Sequence, residues 1–389
     1  MINSKNILAK YILSISLFIL FLFFLIPSKI INFYELRNLV INSFIIASLF
    51  IFFVSIIIKK KFDKNDTLVS IILLILLTTI FFLYSNKTLD FKDYKFLILI
   101  LLIFAYSSLR HVFDYERTVK FFFLILNFYI ALIFLNDLFL KELTYNENRF
   151  QRYDFTGSVT THSINCLIFL YLGYFYLNKI ENNIIKLVIL INSMLAIYML
   201  FLVAGRQFII ILFLYYFFLI ILSKKNKLKN IFNFLLFILV GLFLFWFFTK
   251  YINNLLYLRL FENPNDYSSG RINAIIFWYE NFKQYGPLGI GYISNNTEIF
   301  KIDWPHNEIF RFYVEGGILG LIFISILLFY WLKILINNYK YKNHDFYFYL
   351  SIFLFSIMIT QIFFDNIIDA IYRIFVFNFI FYLISKKNN

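Results

Sequence analysis

Long apolar runs, each about as long as a bilayer is thick, succeed one another along almost the whole chain, with short polar breaks between them. A helix needs about 20 apolar residues to cross a bilayer, and runs of roughly that kind lie at 7–26, 38–58, 67–84, 94–109, 118–138, 158–178, 184–204, 207–223, 230–249, 314–336, 346–364 and 367–384. Two pairs nearly touch, across Gly205-Arg206 and across Asp365-Asn366; each pair is either two helices or one broken or re-entrant helix. The pattern predicts an all-α polytopic membrane protein with about 12 transmembrane helices and one long, partly helical periplasmic loop. Residues 1–249 hold the first nine or so helices, 250–313 the large loop, and 314–389 the last three, all in one integral membrane domain. The first run follows Lys5 and Lys10 and resembles a signal peptide. It ends in Ile-Pro-Ser-Lys without a small-x-small cleavage site, so it is expected to stay as the first span. No internal repeat, low-complexity stretch or soluble terminal domain interrupts the layout.

Composition agrees with that pattern. Of 389 residues, 61% are hydrophobic, 56 are Phe, and only 15% are charged. A soluble chain of this size has no means of hiding so much apolar surface. The net charge of +14 does not point to nucleic acid, because the basic residues form short clusters between apolar runs. Lys59-Lys60-Lys61, Arg110 with Arg117, Lys179 with Lys186, Lys224 to Lys229, Lys340 with Lys342, and Lys386-Lys387 fall on alternate connections. That is the positive-inside arrangement, and it sets both termini in the cytoplasm. Cys166 is the only cysteine and lies in an apolar run, so neither an internal disulfide nor a thiol metal site is available.

Two outer connections are larger than the rest. The first, about 139–157, carries Arg149 and Arg152. The second, 250–313, holds Trp278, Trp304 and several tyrosines, so its composition is that of a segment that folds. Within it, Ser268 or Ser269 is a good N-cap for a short helix beginning near Gly270-Arg271. Arg271 in a first turn opposes the helix dipole, yet the free backbone N–H groups and the guanidinium aim at one place, which suits a phosphate. A solvated arginine on a loop helix is the plain alternative. Gly286-Pro287-Leu288-Gly289-Ile290-Gly291 follows; its spacing fits tight turns and neither the dinucleotide nor the Walker fingerprint. Next come Asp303-Trp304-Pro305-His306-Asn307-Glu308, and a helix is expected to run from Asn307 into the membrane. His306 then stands at a helix N-terminus, where the dipole favours the neutral imidazole, a form able to take a proton from an attacking hydroxyl. A structural histidine at an interface is the alternative. Glu308 and Glu315 either orient His306 or cap the helix, Arg311 is a further cation near it, and Gly316, Gly317 and Gly320 permit close helix packing.

These residues resemble the O-antigen ligase and O-antigen polymerase superfamily. Ser-Gly-Arg at 269–271 with Trp278, Gly-Pro-Leu-Gly-Ile-Gly at 286–291, and His306-Asn307 followed by nine residues, Gly317, two residues and Gly320 carry the resemblance. It covers roughly 260–335, reaches weakly to Arg206 in Val203-Ala204-Gly205-Arg206-Gln207, and loosely to Arg149 or Arg152. The first third of the chain carries no signature. The resemblance implies a metal-independent, inverting glycosyltransferase without cofactor in the bacterial inner membrane. Its donor would be a glycan on undecaprenyl diphosphate. Its acceptor would be a lipid A–core sugar in a ligase, or a second lipid-linked glycan in a polymerase. His306, Arg271 and Arg206 would be catalytic. Arg149, Arg152, Arg311, Asn307, Ser269 and Gly270 would bind substrate. The histidine segment favours the ligase. A lipid-linked sugar transporter would need charges within spans and related halves, which the pattern lacks. A non-catalytic membrane scaffold is the third class.

Overall fold

The computed structural model describes residues 63–82, 100–105, 113–140, 145–146, 149–150, 159–203, 207–222, 227–236, 238–239, 307–341, 346–364 and 371–385, with isolated positions between 15 and 54 and at 97, 276, 279, 280, 287 and 289. Its main helices are α1 (Lys64–Phe82), α2 (Tyr115–Leu140), α3 (Val159–Leu177), α4 (Asn183–Val203), α5 (Gln207–Leu222), α6 (Glu308–Tyr341), α7 (Phe346–Phe364) and α8 (Ile371–Ser385). Among the described residues the one departure from an all-helical fold is a short antiparallel ladder. It joins β1 (Tyr145–Asn146) to β2 (Arg149–Phe150), with Tyr145 opposite Phe150 and Asn146 opposite Arg149.

The helices start where polar side chains satisfy their first free N–H groups. Asp63 Oδ1 accepts from the Asn65 N–H at 2.9 Å, Asp114 Oδ1 from Glu116 at 3.0 Å, Asn182 Oδ1 from Ile184 at 2.9 Å, and Asn307 Oδ1 from Phe310 at 3.0 Å. Apolar patterning alone sets α1 and α2 to begin a few residues late, because their capping turns are polar. Of the two tight connectors, the second separates two helices, the first of the two alternatives. α7 and α8 are separate helices packed on each other, with residues 365–370 between them, and so do not form one broken helix.

Among the described helices, α7 lies at the centre. α5, α6 and α8 pack on it, and Tyr171 of α3 stacks on its Phe353 with ring centroids 4.4 Å apart. Ser351 to Leu354 and Ile362 are buried, as a helix apolar on every side requires. Its hydroxyls bond inward to their own helix: Ser356 Oγ donates to the Ile352 carbonyl at 2.9 Å, and Thr360 Oγ1 to the Ser356 carbonyl at 2.8 Å. α1 lies on α6, and α2 lies on α3, α4 and α8. Polar cross-links fix the contacts. Tyr330 Oη donates to Asp66 Oδ1 at 3.0 Å between α6 and α1, Trp331 Nε1 to Tyr382 Oη at 3.0 Å between α6 and α8, and Asn192 Nδ2 to Asn127 Oδ1 at 2.8 Å between α4 and α2.

The exterior is apolar as well. α4 turns Ile184, Leu187, Ile191 and Met194 outward, and Phe329 of α6 is 70% exposed. Two of the described helical stretches, Glu308–Asn337 and Phe346–Phe363, are long and apolar enough to cross a membrane.

Candidate functional site

The segment that carries the histidine signature ends in a structure that the apolar pattern did not suggest. α6 is not straight. Gly317 has φ 57° and ψ −137°, far outside helical values, and divides α6 into a short limb, 308–316, and a long limb, 318–341. A non-glycine residue would be strained there. The short limb folds back along the long one. The backbone of Phe312 meets Gly320 so closely that a Cβ on Gly320 would overlap the Phe312 carbonyl, and the Phe312 and Phe323 rings stack at 5.0 Å. In one continuous helix residues 312 and 320 would stand about 12 Å apart at 1.5 Å per residue. The expectation that a helix runs from Asn307 straight into the membrane is therefore corrected. The helix capped by Asn307 stops at the break, and the stretch available to cross is 318–337, about 30 Å long. Two adjacent glycines in an apolar run are compatible with close packing or with reversal, and here Gly317 reverses the chain.

Pro287 and Gly289 dock at this break. The Ile318 N–H donates to the Pro287 carbonyl at 3.0 Å. Gly289 has φ 79°, and a Cβ on it would stand 2.6 Å from both the Gly317 nitrogen and the Val314 carbonyl oxygen, and 2.8 Å from the Glu315 carbonyl oxygen. Those are backbone atoms that cannot swing away, so only glycine fits. On the far side, a Cβ on Gly316 would lie 2.9 Å from Ile80 Cδ1 of α1. Gly289 and the Gly316-Gly317 pair, separated in the sequence, thus form one joint, held against α1.

The short limb is polar on its buried side. Arg311 Nε bonds Glu315 Oε1 at 2.9 Å, and Arg311 Nη1 lies 4.0 Å from Glu308 Oε1. All three side chains are 6% exposed or less. Helical spacing puts them on one face, since residues three and four apart are neighbours. Two carboxylates and one guanidinium in a low-dielectric site hold each other strongly, and breaking the set leaves a buried charge. Glu308 and Glu315, expected either to orient His306 or to cap the helix, both face Arg311.

Of the candidate residues, Asn307 is the N-cap of α6 and is half-buried; its carbonyl also accepts from the Arg311 N–H at 3.0 Å. Arg311 lies in the ion-paired set. Arg149 is in β2, opposite Asn146. His306, Arg271, Ser269, Gly270, Arg206 and Arg152 lie outside the described residues. Among the described residues, no three His, Cys, Asp or Glu side chains come together in a way that could hold a metal ion.

The sequence reading passed over Gln361 of α7 and Asn165 of α3. Gln361 is fully buried, and among the described residues neither of its amide atoms has a hydrogen-bond partner; the same holds for Asn165 Oδ1. The available signal was an amide inside an otherwise apolar run, which is costly in a membrane or a core. Comparison of the chain with protein-family models, with curated proteins and with solved structures gave no match.

Proposed function

We propose that this chain is a multi-pass membrane glycosyltransferase of O-antigen ligase type. It would have about 12 spans and both termini in the cytoplasm of a bacterium. The apolar exterior of α4 and α6 supports a lipid surround, because soluble monomers rarely expose contiguous apolar surface on this scale. The donor is a glycan on undecaprenyl diphosphate, and the acceptor is a lipid A–core sugar hydroxyl at the periplasmic face. His306 removes the proton from that hydroxyl. The oxygen attacks the anomeric carbon, and the undecaprenyl diphosphate leaves from the opposite face with inversion. Arg271 and Arg206 meet the negative charge that develops on the leaving diphosphate, work that a fixed cation performs well in a water-poor site.

The observation that carries the reading is the fit between the signature's spacing and the joint in α6. His-Asn, nine residues, glycine, two residues, glycine is the spacing of a short helix, its reversal at Gly317 and its crossing at Gly320. The pattern therefore has a structural reason to occur as a unit in this chain. A polymerase that uses a second lipid-linked glycan as acceptor would share these features.

Deleting the gene and running the surface lipopolysaccharide on a gel beside the lipid-carrier pool separates the two. A core without O-antigen, with long glycans held on the carrier, is the expected result. A core bearing one repeat unit identifies the polymerase instead. Normal pools sink both forms of the proposal. In the complemented strain, His306→Ala and Arg271→Ala should each lower transfer by about 10²-fold or more at unchanged protein level. Full transfer by either variant refutes the role given to that residue.

A further inference from the structure

We infer that Asn165 of α3 and Gln361 of α7 share an internal water in the space between α2, α3 and α7. Both side chains are buried, and among the described residues Gln361 Nε2, Gln361 Oε1 and Asn165 Oδ1 have no hydrogen-bond partner. Ring contacts fix where the two amides stand. Tyr171 stacks on Phe353 at 4.4 Å and Phe175 on Phe346 at 3.3 Å, so α3 and α7 run antiparallel. Asn165 precedes Tyr171 by six residues and Gln361 follows Phe353 by eight. At 1.5 Å per residue they lie about 9 and 12 Å along the two helices, on the same side of the stack. Each side chain leans toward the N-terminus of its own helix, and between antiparallel neighbours that lean brings the two amide heads toward a common height.

The faces agree as well. On α3, Phe169 and Tyr176 stack on Phe123 of α2 at 5.5 and 4.8 Å, while Tyr171 and Phe175 meet α7. Asn165 lies one turn before Phe169, on the side turned to α2. On α7, Phe353 faces α3 and Tyr347 meets Tyr115 of α2 at 4.7 Å. At about 100° per residue, Gln361 falls between those two directions. Both amides thus point into the space that the three helices enclose. Ile168 and Ile357, about one turn nearer the ring stack on the same faces, are fully buried and line it with apolar surface. An amide stranded there is costly, and an ion would enter without a countercharge. Water is neutral and small, and it both donates and accepts. It accepts from Gln361 Nε2 and donates to Asn165 Oδ1, and Gln361 Oε1 takes a further O–H; about three such bonds are usual for an internal water. Apolar helices in lipid have little to fix their register, and a bridged pair of amides supplies it. The inference stands apart from the proposed transfer reaction.

Two measurements on the full chain, purified in detergent, test this. A density map that resolves ordered water should show a peak about 3 Å from both Gln361 Nε2 and Asn165 Oδ1. An empty space there, or a side chain bonded to both amides, overturns the inference. The second measurement reads the unfolding midpoint of Gln361→Met, Asn165→Leu and the double variant; each change removes an amide at nearly constant volume. With a shared water, either change strands the water and the other amide. Each single variant should then unfold about 2 °C or more below wild type, and the double variant no lower than the worse single one. If the amides are dry, removing either unpaired group leaves the midpoint unchanged or raises it, and the inference fails. Losses that simply add would give each amide a partner of its own and overturn the sharing. Should a variant not fold, the wild-type map decides.

Discussion

Arg311 has its charge committed before any substrate is considered. Its guanidinium is buried beside Glu315 and Glu308 on its own helix, so a phosphate would have to compete with carboxylates already in place. Arg311→Met leaves those carboxylates in a site closed to water and should cost about 3–5 kcal/mol, read as thermal unfolding of the detergent-solubilised protein. The triple change Arg311→Met with Glu315→Met and Glu308→Met should recover most of that loss, because apolar side chains of similar volume often replace a buried ionic set without penalty. A single variant as stable as wild type would mean that the pair contributes nothing. The spacing of Arg311 and Glu315 was readable in the sequence, one helical turn apart. Their burial was not, since the same spacing on an outward face is a solvated pair of little consequence. Asn307, given a substrate-binding role by the resemblance, caps α6 instead of standing free; its place at the start of the helix was readable, its capping bond was not singled out.

At the level of the helix, a glycine beside the break in α6 differs in what it does from a glycine inside an unbroken helix. Gly320 is crossed by the Phe312 backbone, whereas Gly173 in α3 has ordinary room, its nearest neighbours 3.6 Å from an added Cβ. Gly320→Ala should therefore destabilise by about 3 kcal/mol or more, and Gly173→Ala by less than about 1 kcal/mol. Parallel unfolding scans check this, and equal effects would contradict the folded-back limb. Apolar patterning located most of the described helices within a few residues, because in lipid each backbone group must be satisfied inside its own helix and only length and hydrophobicity then matter. It did not show the reversal at Gly317. Hydropathy does not change across the break, and backbone direction leaves no mark on it. The small ladder at Tyr145–Phe150 escaped for another reason: two residues per strand are too few to establish a period.

For the molecule as a whole, the exposed faces predict chemistry that can be measured. Met194 of α4 is 70% exposed, while the native Cys166 is fully buried. Met194→Cys in native membranes should react with a lipid-soluble maleimide and not with a charged, membrane-impermeant one, and Cys166 should stay silent to both. Fast reaction of Met194→Cys with the charged reagent would put that face in water and remove the lipid surround. The basic clusters and apolar runs were enough to expect such an exterior. Which helix lies at the centre was not legible, because helices that face lipid and helices that face one another are equally apolar. α7 differs from its neighbours only in what surrounds it.

That central position bears on biogenesis. α5 and α6, and the Tyr171 side of α3, all rest on a helix that leaves the ribosome after them, and α8 follows later still. α2, α3 and α4 precede α7 and pack on one another, so a first group of helices has a core of its own before Phe346–Phe364 is made. The faces of α5 and α6 that α7 covers, and the aromatic stack on Tyr171 of α3, wait for it. Assembly is therefore expected in two stages, an N-terminal group first and the layer around α7 after it.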